Sequence, residues 1–241
     1  MTARLPGRLV PLLRRGTRPL CVLLPGAGGG LHPYLRLAAA LGATHNVGAV
    51  RAAGLVPGEE AELSIAEMAD AAQDALEADG TVPAAVLGWS LGGAVAWELC
   101  VRLAEQGHLP DLVLVDASPL PRRAAADEDV RIRETVIGML GPRPDPATVE
   151  RVRRVFDTQL TALANYQAQQ CYPGRVLMLM CTDAEFAFRA EAETRWQELA
   201  PRLSTGRLDA GHFDVFEPEH LSQLVGELDR FLGRSSGAVL R

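Results

Sequence analysis

The sequence predicts an α/β domain built around a mostly parallel sheet with helices on both faces. Short apolar runs that are typical of buried strands alternate along the 241 residues with longer segments that are typical of helices. The segment Gly88-Trp89-Ser90-Leu91-Gly92 joins one such strand directly to one such helix. With 48% hydrophobic and 22% charged residues, the chain has the composition of a globular protein that buries a core.

The first half of the chain alternates regularly between strands and helices. Each strand is a run of four or five mostly apolar residues, and each helix is a longer run without internal breakers. The helix that begins at Ser64 has a capping box, because Glu67 follows three residues later. In chain order the predicted elements are a strand at Leu20–Leu24, a helix at Pro33–Leu41, a strand at Asn46–Val50, a helix at Ser64–Ala78, a strand at Ala84–Leu87, a helix from Gly93 to about Gln106 and a strand at Leu112–Val115.

The pattern changes in the second half, where residues 119–172 contain no evident strand. Two amphipathic helices are predicted there, at about Asp127–Leu140 and Pro146–Gln170, and Gly141-Pro142-Arg143-Pro144 separates them. A helical insertion after a strand end predicts a lid over a site, and residues 119–172 are called the lid below. The remaining predicted elements are a strand at Arg175–Met180, a helix at Glu191–Leu199, a short strand at Arg207–Leu208, a helix at Glu219–Leu232 and a disordered tail at Gly233–Arg241. We expect residues 1–241 to form one domain.

The Gly88–Gly92 segment has the G-x-S-x-G pattern of a nucleophile elbow, which is the sharp strand-to-helix turn of α/β-hydrolases. Glycine is required at both ends because the strand and helix backbones nearly touch there. The turn exposes the hydroxyl of Ser90 above the sheet, next to the positive end of a helix. The sequence therefore predicts an α/β-hydrolase with Ser90 as its nucleophile.

A serine nucleophile needs a base, and the base needs an orienting acid. Among the five histidines, His212 alone follows a strand-like segment and a glycine late in the chain, where hydrolases of this fold place their base. Two aspartates are candidates for the acid, since Asp116 and Asp183 each follow the end of a predicted strand. The local sequence leaves the choice between them open.

The glycine-rich loop Gly26-Ala27-Gly28-Gly29-Gly30 follows the first predicted strand. Because Leu31 occupies the last position of a G-x-G-x-x-G pattern, and because the chain has no lysine for a phosphate-binding loop, a nucleotide site is not expected. In an α/β-hydrolase this loop supplies one backbone N–H of the oxyanion hole, and the residue after the nucleophile supplies the other. These two donors are predicted to be the amides of Ala27 and Leu91.

Composition and charge exclude several other classes of function. The formal net charge is −6, which argues against a nucleic-acid partner. The four cysteines are Cys21, Cys100, Cys171 and Cys181. Their wide spacing predicts neither a metal site nor a disulfide framework. No apolar run has membrane length, and Pro25 interrupts the run that follows Arg14-Arg15. We expect a cytoplasmic protein without metal, cofactor, nucleic-acid or membrane partner.

Several stretches, taken in order, resemble the type I thioesterase domains that end nonribosomal peptide synthetases and polyketide synthases. The resemblance extends from about Leu9 to Leu232, and the tryptophan after the first elbow glycine is similar to that of the peptide-synthetase members. The matching stretches are Leu9-Val10-Pro11-Leu12, Arg18-Pro19-Leu20, Pro25-Gly26-Ala27-Gly28-Gly29 with Tyr34 and Leu37-Ala38, Gly54-Leu55, Ser64-Ile65-Ala66-Glu67-Met68-Ala69, Leu87-Gly88-Trp89-Ser90-Leu91-Gly92-Gly93, Leu112-Val113-Leu114-Val115-Asp116 and Gly211-His212.

The resemblance implies a serine thioesterase that takes a peptidyl or acyl chain from the phosphopantetheine arm of a carrier protein. An acyl-Ser90 intermediate would be released by water, or by an internal nucleophile that closes a ring. In this family the acid stands where Asp116 does, whereas in stand-alone editing thioesterases and most other hydrolases it stands one strand later, where Asp183 does. The resemblance therefore favours Asp116 as the acid, with Asp183 as the alternative. Arginines of the lid are candidates for contact with an acidic carrier protein; they are Arg122, Arg123, Arg131, Arg133, Arg151, Arg153 and Arg154.

Other interpretations of the same residues, with different functions, remain open. An acyltransferase or aminoacyltransferase would use the same acyl-Ser90 intermediate, and a simple esterase would act without a carrier protein. A binding module with this fold but no activity is disfavoured, because Ser90, Asp116, His212 and the glycine loop occur together. The printed chain starts at Met1 without a carrier-domain sequence, which fits both a stand-alone protein and one domain of a longer chain.

Overall fold

The computed structural model describes residues 7–124, 126–182 and 189–233. Asp183 and the tail from residue 234 onward lie outside these described residues, so the predictions made for them concern parts that are not described. The strands are β1 (Leu9–Leu13), β2 (Leu20–Leu24), β3 (Asn46–Val50), β4 (Ala85–Trp89), β5 (Asp111–Val115), β6 (Val176–Cys181) and β7 (Leu203–Leu208). The helices are α1 (Tyr34–Leu41), α2 (Ile65–Asp79), α3 (Leu91–Glu105), α4 (Ala126–Gly138), α5 (Pro146–Ala164), α6 (Arg189–Leu199) and α7 (Pro218–Leu232).

The strands form one seven-stranded sheet in the order β1-β3-β2-β4-β5-β6-β7. All neighbouring pairs are parallel except β1 and β3, which are antiparallel. The edge strand β1 was not among the strands predicted from the sequence. It contains Pro11, a residue that strands tolerate only at an edge or a bulge, and its register with β3 shifts between Pro11 and Leu13.

Helices cover both faces of the sheet, as predicted, and successive strand residues point into two separate cores. Val86 of β4 lies in the core beneath α2, α3 and α6, whereas its neighbours Ala85 and Leu87 lie in the core beneath α1 and α7. Because both faces are covered, the central strands are continuous apolar runs rather than alternating ones. This is why short apolar runs were sufficient to predict β2, β4, β5 and β6.

The lid consists of α4 and α5, which follow β5, and no strand is found among the described residues between 119 and 172. Asp145 caps α5 by accepting a hydrogen bond from the Thr148 amide at 2.9 Å. The prediction that the second lid helix continues to Gln170 is wrong, since α5 ends at Ala164. After this end the chain packs back onto the body of the protein, and the amide of Ala168 donates to the carbonyl of Pro119 at 2.8 Å.

The last strand also differs from its prediction. The sequence predicted only Arg207–Leu208, whereas β7 extends over Leu203–Leu208 and pairs with β6 along its full length. Its first part contains Ser204 and Thr205, which are exposed because β7 is the second edge of the sheet. A polar edge strand lacks the apolar run that identified the central strands.

Candidate active site

The predicted functional residues meet at one edge of the sheet. Ala27, Ser90, Asp116 and His212 follow the carboxyl ends of β2, β4, β5 and β7, and these ends share an edge because the strands are parallel. All four residues, together with Leu91, line a single cavity of about 290 Å³. The structure thus brings together every described residue that the sequence singled out for the site.

Ser90 lies at the tip of a sharp turn between β4 and α3. A side chain at Gly88 would overlap the backbone of Gly92, and a side chain at Gly92 would overlap the carbonyl group of Leu24. Ser90 itself has φ 55° and ψ −123°, which is an unusual backbone conformation for a residue with a side chain. The turn therefore has the close approach and the strained serine of a nucleophile elbow.

His212 is paired with Asp116 inside the protein. The His212 Nδ1 atom lies 2.7 Å from Asp116 Oδ2, and both residues are buried. An ionised carboxylate can only accept a hydrogen bond, so Nδ1 carries the proton and donates it to this bond, and Nε2 is the unprotonated nitrogen of the neutral ring. The pair thus holds the imidazole in the tautomer that a general base requires.

Two further groups bind the Asp116 carboxylate. Arg189 donates from Nε to Oδ1 at 2.9 Å and from a terminal nitrogen to Oδ2 at 2.8 Å, and the Cys181 amide donates to Oδ1 at 3.1 Å. Burial pushes the pKa of Asp116 upward, but the hydrogen bonds from His212 and Arg189 outweigh it and lower the pKa from 3.8 to about 2. Asp116 is therefore ionised at neutral pH although it is buried.

Arg189 was not predicted from the sequence. It is the first residue of α6 and follows residues 183–188, which the structure does not describe. It is also one of 24 arginines in the chain. Its partner Asp116 is 73 positions away in the chain. Nothing in the local pattern distinguishes it from the exposed arginines, so only the fold reveals the contact.

Trp89, the last residue of β4, contacts His212 through a hydrogen bond and through its ring. Its indole Nε1 donates a hydrogen bond to the His212 carbonyl at 3.1 Å, and the two rings are 5.2 Å apart between centroids. The same indole also contacts the rings of Phe213 and Phe216 edge-on. The tryptophan of the elbow therefore anchors the loop that carries the histidine, a role that sequence reasoning had not assigned to it.

The glycine-rich loop contributes Ala27 to the lining of the same cavity. The Gly29 amide donates to the Gly26 carbonyl at 3.0 Å, which closes a tight turn around Ala27. Leu91 is the first residue of α3, so its N–H has no acceptor within the helix. Ala27 and Leu91 both line the cavity, which is the arrangement expected of two oxyanion donors.

The lid supplies most of the apolar wall of the cavity. The apolar residues that line it are Ala27, Trp89, Leu91, Ala117, Leu120, Pro121, Ile132, Val136, Phe156, Leu160, Leu163, Met180 and Phe213. Polar groups on the wall include Arg122, Arg123, Gln167 and Glu191. An apolar pocket with a few polar groups next to a serine suits a substrate with an apolar chain.

The histidines other than His212 do not line the cavity, and no group of three or more potential ligands could hold a metal ion among the described residues. All four cysteines are free thiols. Across the described ranges, no helix has both the length and the apolar character that a membrane span requires.

Comparisons with known proteins relate this geometry to a family. The chain is 33% identical to the polyketide synthase GfsE of Streptomyces halstedii over 157 residues, which are 61% of this chain and 4% of that protein. It is 25% identical to a dimodular nonribosomal peptide synthase of Bacillus subtilis (strain 168) over 251 aligned positions, which are 90% of this chain and 10% of that protein. The chain thus spans a tenth or less of these curated relatives.

Solved structures match most of the chain. The NocB thioesterase domain from the nocardicin cluster superposes with a TM-score of 0.72 at 28% identity, and the match covers 90% of this chain and 95% of that domain. Type II thioesterases at 18–22% identity superpose with TM-scores of 0.74–0.77, which shows the shared α/β-hydrolase fold. The family model of the thioesterase domain matches residues 18–232, nearly the whole described chain. The chain therefore belongs to the thioesterase domain family.

Proposed function

We propose that this chain is a serine thioesterase that releases a peptidyl or acyl chain from the phosphopantetheine thioester of a carrier protein. Ser90 would be the nucleophile, His212 the base and Asp116 the acid that orients it. The main support is the 2.7 Å contact between His212 and Asp116 in the cavity that Ser90 also lines. Membership of the thioesterase domain family supports the thioester as the bond that is cleaved.

In the first step, Ser90 Oγ attacks the thioester carbonyl while His212 Nε2 takes the hydroxyl proton. The ionised Asp116 stabilises the imidazolium that forms and remains deprotonated, which its lowered pKa of about 2 favours. The imidazolium then gives its proton to the departing thiolate sulfur, which leaves as the free thiol of the phosphopantetheine arm. This step breaks the C–S bond and leaves the chain on Ser90 as an ester.

The tetrahedral intermediate carries a negative charge on the former carbonyl oxygen. The amides of Ala27 and Leu91 are proposed to bind it, and the loss of one such donor typically lowers the rate by about 10²–10³-fold. In the second step, water or an internal amine or hydroxyl of the chain attacks the ester, with His212 again as the base. Water gives hydrolysis, and an internal nucleophile gives a macrocycle.

The lid is proposed to hold the acyl chain and to meet the carrier protein. Its apolar inner wall suits an apolar chain. Several lid arginines are engaged within the lid: Arg122 pairs with Glu128 and Asp129, and Arg133 pairs with Asp157. Three others have no ion pair with any described residue and are exposed, and these are the candidates for an acidic partner: Arg123, Arg131 and Arg154.

Intact-protein mass spectrometry tests the proposal. The protein is mixed with a panel of acyl and peptidyl thioesters, with Ser90→Ala in parallel and a fluorophosphonate label as a control for Ser90 reactivity. A transient adduct on Ser90 that clears as free acid or as a ring is the expected result. An adduct that persists until a carrier thiol or an amine is added would instead indicate an acyltransferase or aminoacyltransferase.

The same measurement, with free esters added to the panel, separates the remaining alternatives. Preferential clearance of short acyl groups that block a carrier protein would indicate a stand-alone editing thioesterase. Efficient turnover of free esters without a carrier protein would indicate a simple esterase. A failure of the fluorophosphonate to label wild-type protein would remove Ser90 from the mechanism.

A further inference from the structure

Gln159 is a buried polar residue in an otherwise apolar stripe of the lid. The buried residues of α5 are spaced by three or four positions, and they are Val152, Val155, Phe156, Gln159 and Ala162. Gln159 is only 3% exposed. A buried amide in such a stripe is stable only where it has a hydrogen-bond partner, so its position requires a partner on the body of the protein.

The partner of Gln159 lies in the glycine-rich loop, 131 positions away. The Gly28 amide donates to Gln159 Oε1 at 2.7 Å, and this hydrogen bond is buried. The lid also packs on this point of the loop, since a side chain at Gly28 would collide with Val136 of α4 and would lie 3.9 Å from Val152 of α5. Both lid helices therefore rest on the residue that follows Ala27.

The two peptide groups that flank Ala27 are both held by hydrogen bonds. The Gly26–Ala27 peptide is held on its carbonyl side, because Gly26 accepts from the Gly29 amide at 3.0 Å. In a trans peptide the N–H points away from the carbonyl, so the Ala27 N–H points away from this turn. The Ala27–Gly28 peptide is held on its N–H side by Gln159. Together the two bonds fix the backbone orientation at Ala27.

We propose that Gln159 is a positioning residue of the oxyanion hole. By holding the Ala27–Gly28 peptide it keeps the Ala27 N–H aimed at the oxygen that becomes charged. The same bond couples the lid to catalysis, because displacement of α5 releases the peptide and loosens the donor. This inference rests on the proposed function, in which Ala27 supplies one of the two oxyanion amides.

The test compares Gln159→Met with Val155→Ala. Methionine has nearly the volume of glutamine and suits the buried stripe, but it has no comparable acceptor for the Gly28 amide. Val155 is the matched control, since it is buried on the same helix and lies beside Gly54, and the side chains nearest to Gly28 are Val136 and Val152 instead. Steady-state kinetics with a thioester and the inhibition constant of an alkylboronic acid are measured for each protein. The boronate forms a tetrahedral adduct on Ser90 with an oxygen in the oxyanion site.

Gln159→Met is expected to lower kcat by about tenfold, less than the 10²–10³-fold cost of losing a donor entirely, with KM within about twofold of wild type. The boronate inhibition constant should rise by a similar factor, whereas Val155→Ala should change the melting temperature but neither constant. If Gln159→Met fails to fold, Gln159→Asn replaces it in the comparison. Asparagine keeps the amide on a shorter side chain that does not reach the Gly28 amide, so the same loss of activity is expected.

Two results would overturn the inference: an unchanged kcat and boronate affinity in the Gln159 variants, or an equal loss in Val155→Ala. The first result would mean that the hydrogen bond between Gln159 and Gly28 holds the lid in place without affecting catalysis. The second result would mean that the loss of activity comes from altered packing of the lid. The boronate needs a reactive Ser90 but no thioester. If wild-type protein binds the boronate and cleaves no thioester, the proposed function fails while the comparison of boronate affinities still decides the role of Gln159.

Discussion

At the scale of single residues, the local sequence left the acid of the proposed triad undecided, and the geometry favours one candidate. Two aspartates follow strand ends in the sequence, and only Asp116 is among the described residues. Its carboxylate binds His212, Arg189 and the Cys181 amide, and its backbone has a φ of 45°. The strained backbone of Asp116 and the hydrogen bonds to both of its carboxylate oxygens, including the one from His212, favour Asp116 as the acid.

Substitution of each aspartate tests this choice. Asp116→Asn should lower kcat by about 10⁴-fold, by analogy with serine proteases, because an amide does not hold the imidazole in the required tautomer. Asp183→Asn should keep most of the wild-type rate. The measurement is the release of acid from a thioester under saturating substrate, with circular dichroism as a check on folding. The reverse ranking of the two variants would assign the acid to Asp183 and would favour an editing thioesterase.

The pKa of Asp116 also predicts a pH dependence of stability. Because the pKa is lowered from 3.8 to about 2 on folding, the unfolded chain binds a proton at a higher pH than the folded protein does. The stabilisation is present above about pH 4 and is lost as the pH falls towards 2, with a magnitude of about 2 kcal/mol. Urea unfolding at pH 5, 4 and 3 should show a steeper loss of the free energy of unfolding for wild type than for Asp116→Asn. Parallel curves for the two proteins would contradict the prediction.

At the scale of elements, the lid helix α5 has two roles on two parts of its surface. Gln159 contacts the glycine-rich loop, while Phe156, Leu160 and Leu163 face the cavity. Since the helix is held to the loop, its cavity-facing side chains are fixed in position relative to Ser90. The length of acyl chain that fits therefore depends on these side chains.

Leu160→Trp tests this dependence. Leu160 is partly buried and lines the cavity, so a larger side chain can enter the free volume without displacing the core. We expect kcat/KM for long acyl thioesters to fall about tenfold or more, which corresponds to about 1.4 kcal/mol of transition-state binding, while short acyl thioesters are little affected. A chain-length series measures the effect. The control is Thr161→Trp, at an exposed position of the same helix, and an equal effect in that variant would exclude the lid wall as its origin.

At the scale of the whole molecule, the distribution of charge contrasts with the net charge. The chain carries a formal net charge of −6, whereas the lid, residues 119–172, has eight arginines against seven acidic residues. Arg131 and Arg154 are exposed on the two lid helices and lie outside the cavity lining. Exposed arginines without an ion-pair partner among the described residues can attract an acidic carrier protein even though the protein as a whole is acidic.

Charge reversal tests this docking surface. The double variant Arg131→Glu and Arg154→Glu should lower kcat/KM for a carrier-bound thioester by about tenfold at low salt, and the effect should shrink as salt is added. Turnover of a small free thioester should stay unchanged, because neither residue lines the cavity. Arg230→Glu on α7 is a control at an exposed arginine far from the lid in the chain. Unchanged turnover of the carrier-bound substrate would remove the lid arginines from docking.

Much of the molecule follows from the sequence because its signals are local. Buried parallel strands are apolar runs, helices have caps and breakers, and the elbow needs glycine at both ends of Ser90. These signals predicted the central strands, the helices and the lid, and they placed Ser90, His212 and Ala27 at strand ends. They left Asp116 and Asp183 as alternatives for the acid, and only the family resemblance favoured Asp116. The edge strands β1 and β7 lacked such a signal, since one contains Pro11 and the other is polar and exposed.

The sequence by itself determined the family, the fold class and the residues at the strand ends. Only the tertiary structure revealed three hydrogen-bond contacts: Arg189 with Asp116, Trp89 with the His212 carbonyl, and Gln159 with the Gly28 amide. Each of these side chains acts through a hydrogen bond to a group more than 70 positions away. The physical reason is that a buried hydrogen bond depends on the packing of whole elements against each other, and neither partner carries a mark of it in its local sequence.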